Sequence, residues 1–245
     1  MKKIILFVSM AASMMACRKS ATVPSTGTQE VEANWSTTAQ YGSYTTDGYT
    51  FNNDIWGSGA GSQTLWVNSY SNWGVWSDQP NTGGVKSYPN CAKYIGTAIN
   101  SINTCTSSFN VTIPGNGSYE ATYDIWDSNN AHEIMLWMSY TGSVGPISYN
   151  YNASGQAVPV VWGVTVGGHT WNVYQGTNGS NLVYTFTRTS NTTSGTVDVR
   201  AILKWIENEG WMGNVTLGNV EFGYEITSSN GGLNFDTNSY SVTSN

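Results

Sequence analysis

The amino-acid sequence predicts an all-β domain with a single helix, and three observations predict it. The 245 residues include 11 Trp and 15 Tyr against 6 Phe, with 27 Gly and only 10% charged residues. Aromatic, β-branched, Ser, Thr and Asn residues fall in short period-two runs broken by Gly, Asn and Pro turns, the pattern of many short strands. Only one segment carries apolar residues at helical spacing.

The elements follow in order. Tyr41 to Trp56 reads as two strands with Thr45-Thr46-Asp47-Gly48 as the turn. Gln63 to Ser69 is a strand, and Trp73-Gly74-Val75-Trp76 sets two indoles three apart. Gly83 to Asn90 reads as a turn, a short strand and a Pro stop. Ser108 to Ile113 and Ser118 to Trp126 are strands split by Pro114-Gly115-Asn116-Gly117. After the turn-rich loop opened by Thr141-Gly142-Ser143-Val144-Gly145-Pro146 come strands Val158 to Val166, Thr170 to Gln175 and Asn181 to Thr187. Val199, Ile202, Leu203 and Ile206 then define a helix from about Asp198 to Glu209, with Gly210 as its stop. Asn219 to Thr227 and Tyr240 to Thr243 are the last strands. No internal repeat at a fixed period is apparent, which argues against a propeller or solenoid.

The net charge of −6 and isoelectric point near 4.7 argue against a nucleic-acid partner, which requires a basic face. Residues 1–17 read as a signal peptide. Lys2 and Lys3 precede an apolar stretch, Ile4 to Ala16, too short to span a bilayer. Its end, Met14-Met15-Ala16-Cys17, resembles a bacterial lipobox, which makes Cys17 a lipidation site and a possible membrane attachment. Met14 stands where Leu is usual, so ordinary cleavage near Ala16 stays open. Residues 18–33 form a polar tether, and 34–245 the folded domain. The protein is expected to be exported, to the cell envelope or beyond, and monomeric. Cys91 and Cys105 could form a disulfide in that compartment, stabilising the fold by about 3 kcal/mol. His132 and His169 are isolated, so no metal or cofactor is expected.

The most informative stretch is Ala131 to Tyr140. Ile134, Leu136, Met138 and Tyr140 take one face of a strand; Glu133, Met135, Trp137 and Ser139 take the other. The second face sets a carboxylate beside flat apolar surface, as a sugar-binding cleft requires. In Asn219 to Thr227, Glu221, Gly223 and Glu225 likewise lie opposite Val220, Phe222, Tyr224 and Ile226. Two cleft carboxylates point to glycoside hydrolysis, and a retaining mechanism needs them about 5–5.5 Å apart. Glu221 and Glu225 lie roughly 13 Å apart along one strand. The pair must come from two strands, which fits Glu133 with Glu225.

Glu133-Ile134-Met135-Leu136-Trp137 followed by Gly145-Pro146-Ile147 resembles the nucleophile strand and cleft-crossing cord of glycoside hydrolase family twelve. Val85-Lys86-Ser87-Tyr88-Pro89-Asn90 and Phe222-Gly223-Tyr224-Glu225 resemble two further signatures of that family, in matching order over Tyr41 to Thr243. The resemblance implies a two-sheet antiparallel β-jelly roll, a β-sandwich with a concave substrate cleft and one α-helix on the convex side. It implies a retaining endo-β-1,4-glucanase or xyloglucanase acting on a polysaccharide. Glu133 would be the nucleophile, Glu225 the general acid/base, and Asp124 a hydrogen-bond partner that tunes Glu133. Trp56, Asp54, Met135, Trp137, Pro146 and Trp76 would contact substrate. Asp54 departs from the family, which usually has Asn there, and Thr227 stands where some members carry an aromatic. A related jelly-roll xylanase, a catalytically dead glycan-capture lipoprotein and a purely structural sandwich are the competing readings.

Overall fold

The computed structural model describes residues 33–245. The expected leader, the lipidation site at Cys17 and the tether up to residue 32 lie outside the described residues. Two sheets face each other across one core. The outer sheet has six strands: β1 (Trp35–Thr37), β4 (Ser62–Ser69), β5 (Asn72–Asp78), β15 (Leu233–Ser244), β7 (Cys105–Thr112) and β13 (Ser194–Asp198), in that spatial order. The inner sheet has nine, ordered β10 (Val161–Val166), β11 (His169–Thr177), β12 (Leu182–Arg188), β9 (His132–Thr141), β8 (Ser118–Asp127), β14 (Thr216–Ser228), β6 (Asn90–Ala98), β3 (Tyr49–Asn52) and β2 (Ser43–Thr46).

Alternation builds the core. Tyr119, Ala121, Tyr123 and Ile125 of β8, Ile134, Leu136 and Met138 of β9, and Val220, Phe222, Tyr224 and Ile226 of β14 turn inward against Phe109, Phe235 and Tyr240 of the outer sheet. Their rings interlock edge to face, as Phe109 does with Tyr123 and Tyr119 with Phe235. The β2–β3 hairpin turns on Asp47 (φ 52°) and Gly48 (φ 74°), the left-handed pair of a type I′ turn. The helix α1 spans Val199–Asn208. The Asp198 side chain caps it by accepting from Ala201 N at 2.9 Å, and Val199, Ile202, Leu203 and Ile206 are buried. Trp205 and Trp211 join it to Phe186 and Tyr184, on the core side of the inner sheet.

The structure corrects several expectations. Strands β1, β5, β6 and β13 are additional. Pro89 ends only a bridging segment, and β6 begins at the next residue. The inner sheet is not wholly antiparallel, because β12 runs parallel to β9. The chain leaves β9 through a long loop and returns by the β10–β11 hairpin, so β12 arrives in the same direction. Cys91 and Cys105 are free thiols. Strand β6 carries the chain on the order of 20 Å from Cys91 before β7 starts in the other sheet, and a disulfide tolerates at most about 7 Å between Cα atoms. Cys91 Sγ contacts Tyr70 O at 3.9 Å instead, and burial pushes both thiols up.

Candidate active site

The outward face of the inner sheet holds the polar residues that the alternation excludes from the core. Strand β8 is central, with β9 on one side and β14 on the other. Its outward positions are Glu120, Thr122, Asp124 and Trp126. Register sets their neighbours: Glu120 opposes Glu225 and Tyr140, Asp124 opposes Glu221 and Met135, and Trp126 opposes Glu133. Gly223 separates the two β14 glutamates. A Cβ there would collide with Pro89 O and Asn90, so the close approach of the β6 backbone requires glycine.

Glu133 and Glu225 therefore reach one cleft from the two strands that flank β8. Glu133 is 8% exposed and accepts a hydrogen bond from Asn178 Nδ2 at 3.0 Å. Burial raises it to about 7, and the Asn178 bond opposes that rise. Glu225 is half-buried, and burial and the neighbouring Glu133 charge raise it to about 7. Glu221 reaches about 7 by burial, opposed by a bond from Asn219. Burial, then Glu133, Glu221 and Glu225, hold Asp124 well above the usual carboxylate range. No cation offsets these charges: the described salt bridges are His132–Asp127 and Lys204–Glu207. Among the described residues, no group of three His, Cys, Asp or Glu side chains is placed to hold a metal ion.

The other expected residues divide. Ile55 bridges to Ser87, and Ser87 to Ile226, extending the sheet beyond β14. This rung places Asp54 and Trp56, on either side of Ile55, on the cleft face near Glu225. Trp56 is 51% exposed, and its backbone N–H donates to Lys86 O at 3.1 Å. Asp54 is held at φ 36° and is raised by burial. Met135 and Trp137 are buried in the floor. Pro146 closes a pocket of about 480 Å³ with Trp137, Tyr140, Val144, Tyr151 and Tyr174, between the floor and the loop after β9.

Two expectations fail. Trp76 lies on β5 of the outer sheet, where Trp73, Val75 and Ser77 point into the core and Trp76 points away, beside Gly232. It is therefore absent from the cleft. Asp124 makes no hydrogen bond to Glu133: its Oδ1 is buried without a partner, and the Trp126 side chain favours its charged form. The register explains this, since Asp124 faces Met135 and meets Glu133 only diagonally.

Asn178 and Glu120 were not anticipated. Asn178 sits in a Thr-Asn-Gly turn, whose composition signals only a hairpin. Glu120 shares the period-two face of Asp124, a signal present in the sequence but attached to no motif.

Comparison with known proteins places this cleft. The chain is 31% identical over 219 residues to a probable xyloglucan-specific endo-beta-1,4-glucanase A of Aspergillus flavus, covering 83% of this chain and 88% of the relative. It is 31% identical over 220 residues to the xyloglucan-specific endo-beta-1,4-glucanase A of Emericella nidulans, covering 83% and 89%. The xyloglucanase domain of NopAA, a type three effector from Sinorhizobium fredii solved in complex with cellobiose, superposes with a TM-score of 0.85 at 51% identity, covering 87% of this chain and all of that one. A native family 12 xyloglucanase from Bacillus licheniformis superposes at 0.72 with 27% identity, covering 86% and 100%. Residues 47–245 match glycosyl hydrolase family 12, and the chain belongs to that family.

Proposed function

We propose that this cleft cleaves internal β-1,4-glucosidic bonds with retention, Glu133 acting as nucleophile and Glu225 as general acid/base. Endo-acting hydrolysis of β-1,4-glucans is the activity that family membership carries. The observation that supports the residue roles is the placing of Glu133 and Glu225 on the strands either side of β8, with the Glu133 charge raising Glu225. In the first step Glu133 attacks the anomeric carbon while Glu225 gives its proton to the leaving oxygen. Esterification removes the Glu133 charge, so Glu225 becomes the stronger acid and stays ionised to take a proton from water. Trp56 stacks on a sugar of the non-reducing half. Met135 and Trp137 form the floor near the scissile bond, and Pro146 lines the pocket beside Trp137. Asp54 accepts from a sugar hydroxyl. Xyloglucan is the proposed substrate, because relatives from two kingdoms carry that name.

Reducing-sugar release from xyloglucan, barley β-glucan, carboxymethyl-cellulose and xylan tests this reading. Wild type should act on xyloglucan, and Glu133→Ala and Glu225→Ala should lose about 10⁴-fold or more. NMR of the first product should show the β-anomer. Binding without hydrolysis would instead favour the capture protein. Export with lipidation at Cys17 is part of the proposal. A detergent-phase partition lost in Cys17→Ala tests it, and a monomer in size-exclusion chromatography tests the oligomeric state.

A further inference from the structure

Glu120 is the most completely enclosed carboxyl of the cleft sheet. It is 2% exposed, and its Oε2 is buried without a hydrogen-bond partner. No cation lies against it: neither described salt bridge involves it. A carboxylate so enclosed would be extremely costly, whereas a neutral carboxyl requires only an acceptor for its single O–H. Its two cross-strand neighbours decide where that acceptor is. On β9 it faces Tyr140, whose hydroxyl donates to Arg188 O at 3.3 Å. On β14 it faces Glu225. Directly opposed residues of antiparallel strands carry their Cβ atoms about 4.5–5.5 Å apart, so two glutamates in that relation reach one another by a rotamer change. The charged group facing Glu120 from β14 is thus Glu225, β9 presents the neutral Tyr140, and β8 places Thr122 next on the same face.

We propose that Glu120 is a positioning residue for Glu225, a buried carboxylic acid that keeps its proton throughout turnover and offers its O–H to the Glu225 carboxylate. This rests on Glu225 being the acid/base. Burial first, and Glu225 second, push Glu120 well above the usual carboxylate range, in keeping with a retained proton. The proton count closes without Glu120 changing state. Glu225 gives its proton to the leaving oxygen as the glycosyl bond to Glu133 forms. The resulting Glu225 carboxylate accepts the Glu120 O–H and is held toward the anomeric centre. It then takes one proton from the attacking water, whose oxygen ends on the sugar as the ester to Glu133 breaks. A protonated neighbour avoids the repulsion that an ionised one would impose on that carboxylate.

The test compares Glu120→Gln, which keeps an N–H donor, with Glu120→Leu, which keeps the bulk alone, by pH–rate profiles on xyloglucan and by thermal melting. Glu120→Gln should hold kcat within about threefold, with an unmoved alkaline limb. Glu120→Leu should lose about tenfold in kcat at constant KM. Its alkaline limb should move to higher pH, because the Glu225 carboxylate has lost a donor. If Glu120→Leu melts below assay temperature, infrared spectroscopy of wild type at pH 8 supplies the second readout. A protonated carboxyl band should be present and reduced in Glu120→Gln. Wild-type kinetics in Glu120→Leu, an alkaline limb moved to lower pH in Glu120→Gln, or a carboxyl band the same in both proteins would each overturn the proposal. Azide rescue of Glu225→Ala on an aryl glycoside, yielding a β-glycosyl azide, separately establishes the acid/base role. Failure of that rescue points to the parent reading rather than to Glu120.

Discussion

The amide of Asn178 donates to Glu133 Oε2 at 3.0 Å across the parallel seam between β12 and β9. Its other end is committed: Asn178 Oδ1 accepts from Ser180 N and Asn181 N, both at 2.9 Å. The turn therefore fixes which end of the amide faces the carboxylate. A bond to the charged form favours it, opposing the rise caused by burial.

Asn178→Ala should raise Glu133 above about 7. An ionised Glu133 is then reached only at higher pH, so the acidic limb of the kcat/KM profile moves up. Activity near pH 5 should fall about tenfold, with less change near pH 8.

Trp56→Ala should raise KM for xyloglucan about three- to tenfold with little change in kcat, from lost stacking on a half-exposed indole. Trp76→Ala should leave KM unchanged, because Trp76 lies on the outer sheet. Steady-state kinetics on both variants checks the pair.

Stability should fall as pH rises. Glu133, Glu221 and Glu225 titrate near 7 in the folded protein, above the ordinary glutamate range. The folded state thus binds protons that the unfolded chain releases. Their stabilising effect is complete below about pH 4 and is lost as pH passes through about 7. Melting followed by circular dichroism should give a Tm higher at pH 5 than at pH 8, by on the order of 5 °C.

Reducing agent should leave Tm unchanged, since Cys91 and Cys105 are unpaired and buried. A thiol reagent should titrate both only after unfolding. A reductant-dependent drop of several degrees would mean that they pair.

The sequence alone determined which face of each main strand meets the core, except at the end of β9. There a bulge between Trp137 and Ser139 turns Tyr140 from the expected core face to the cleft face, beside Trp137 and opposite Glu120. Side chains alternate with a period of two whatever the strand pairs with, so Glu133 and Glu225 could be assigned to the cleft face from local pattern, whereas Asp124 was singled out only through the family resemblance. The helix was equally legible, because Asp198, the Val199–Ile206 stripe and Gly210 are all local signals. Only the tertiary structure decided pairing and register, which join residues far apart in the chain. Register set Glu120 against Glu225 and moved Asp124 off Glu133. Sheet assignment put Trp76 on the outer face and separated Cys91 from Cys105, and the parallel β9–β12 seam brought Asn178 to Glu133. Period two states which side of a strand a residue occupies; the partner strand and its offset follow from burying both sheets together in one core.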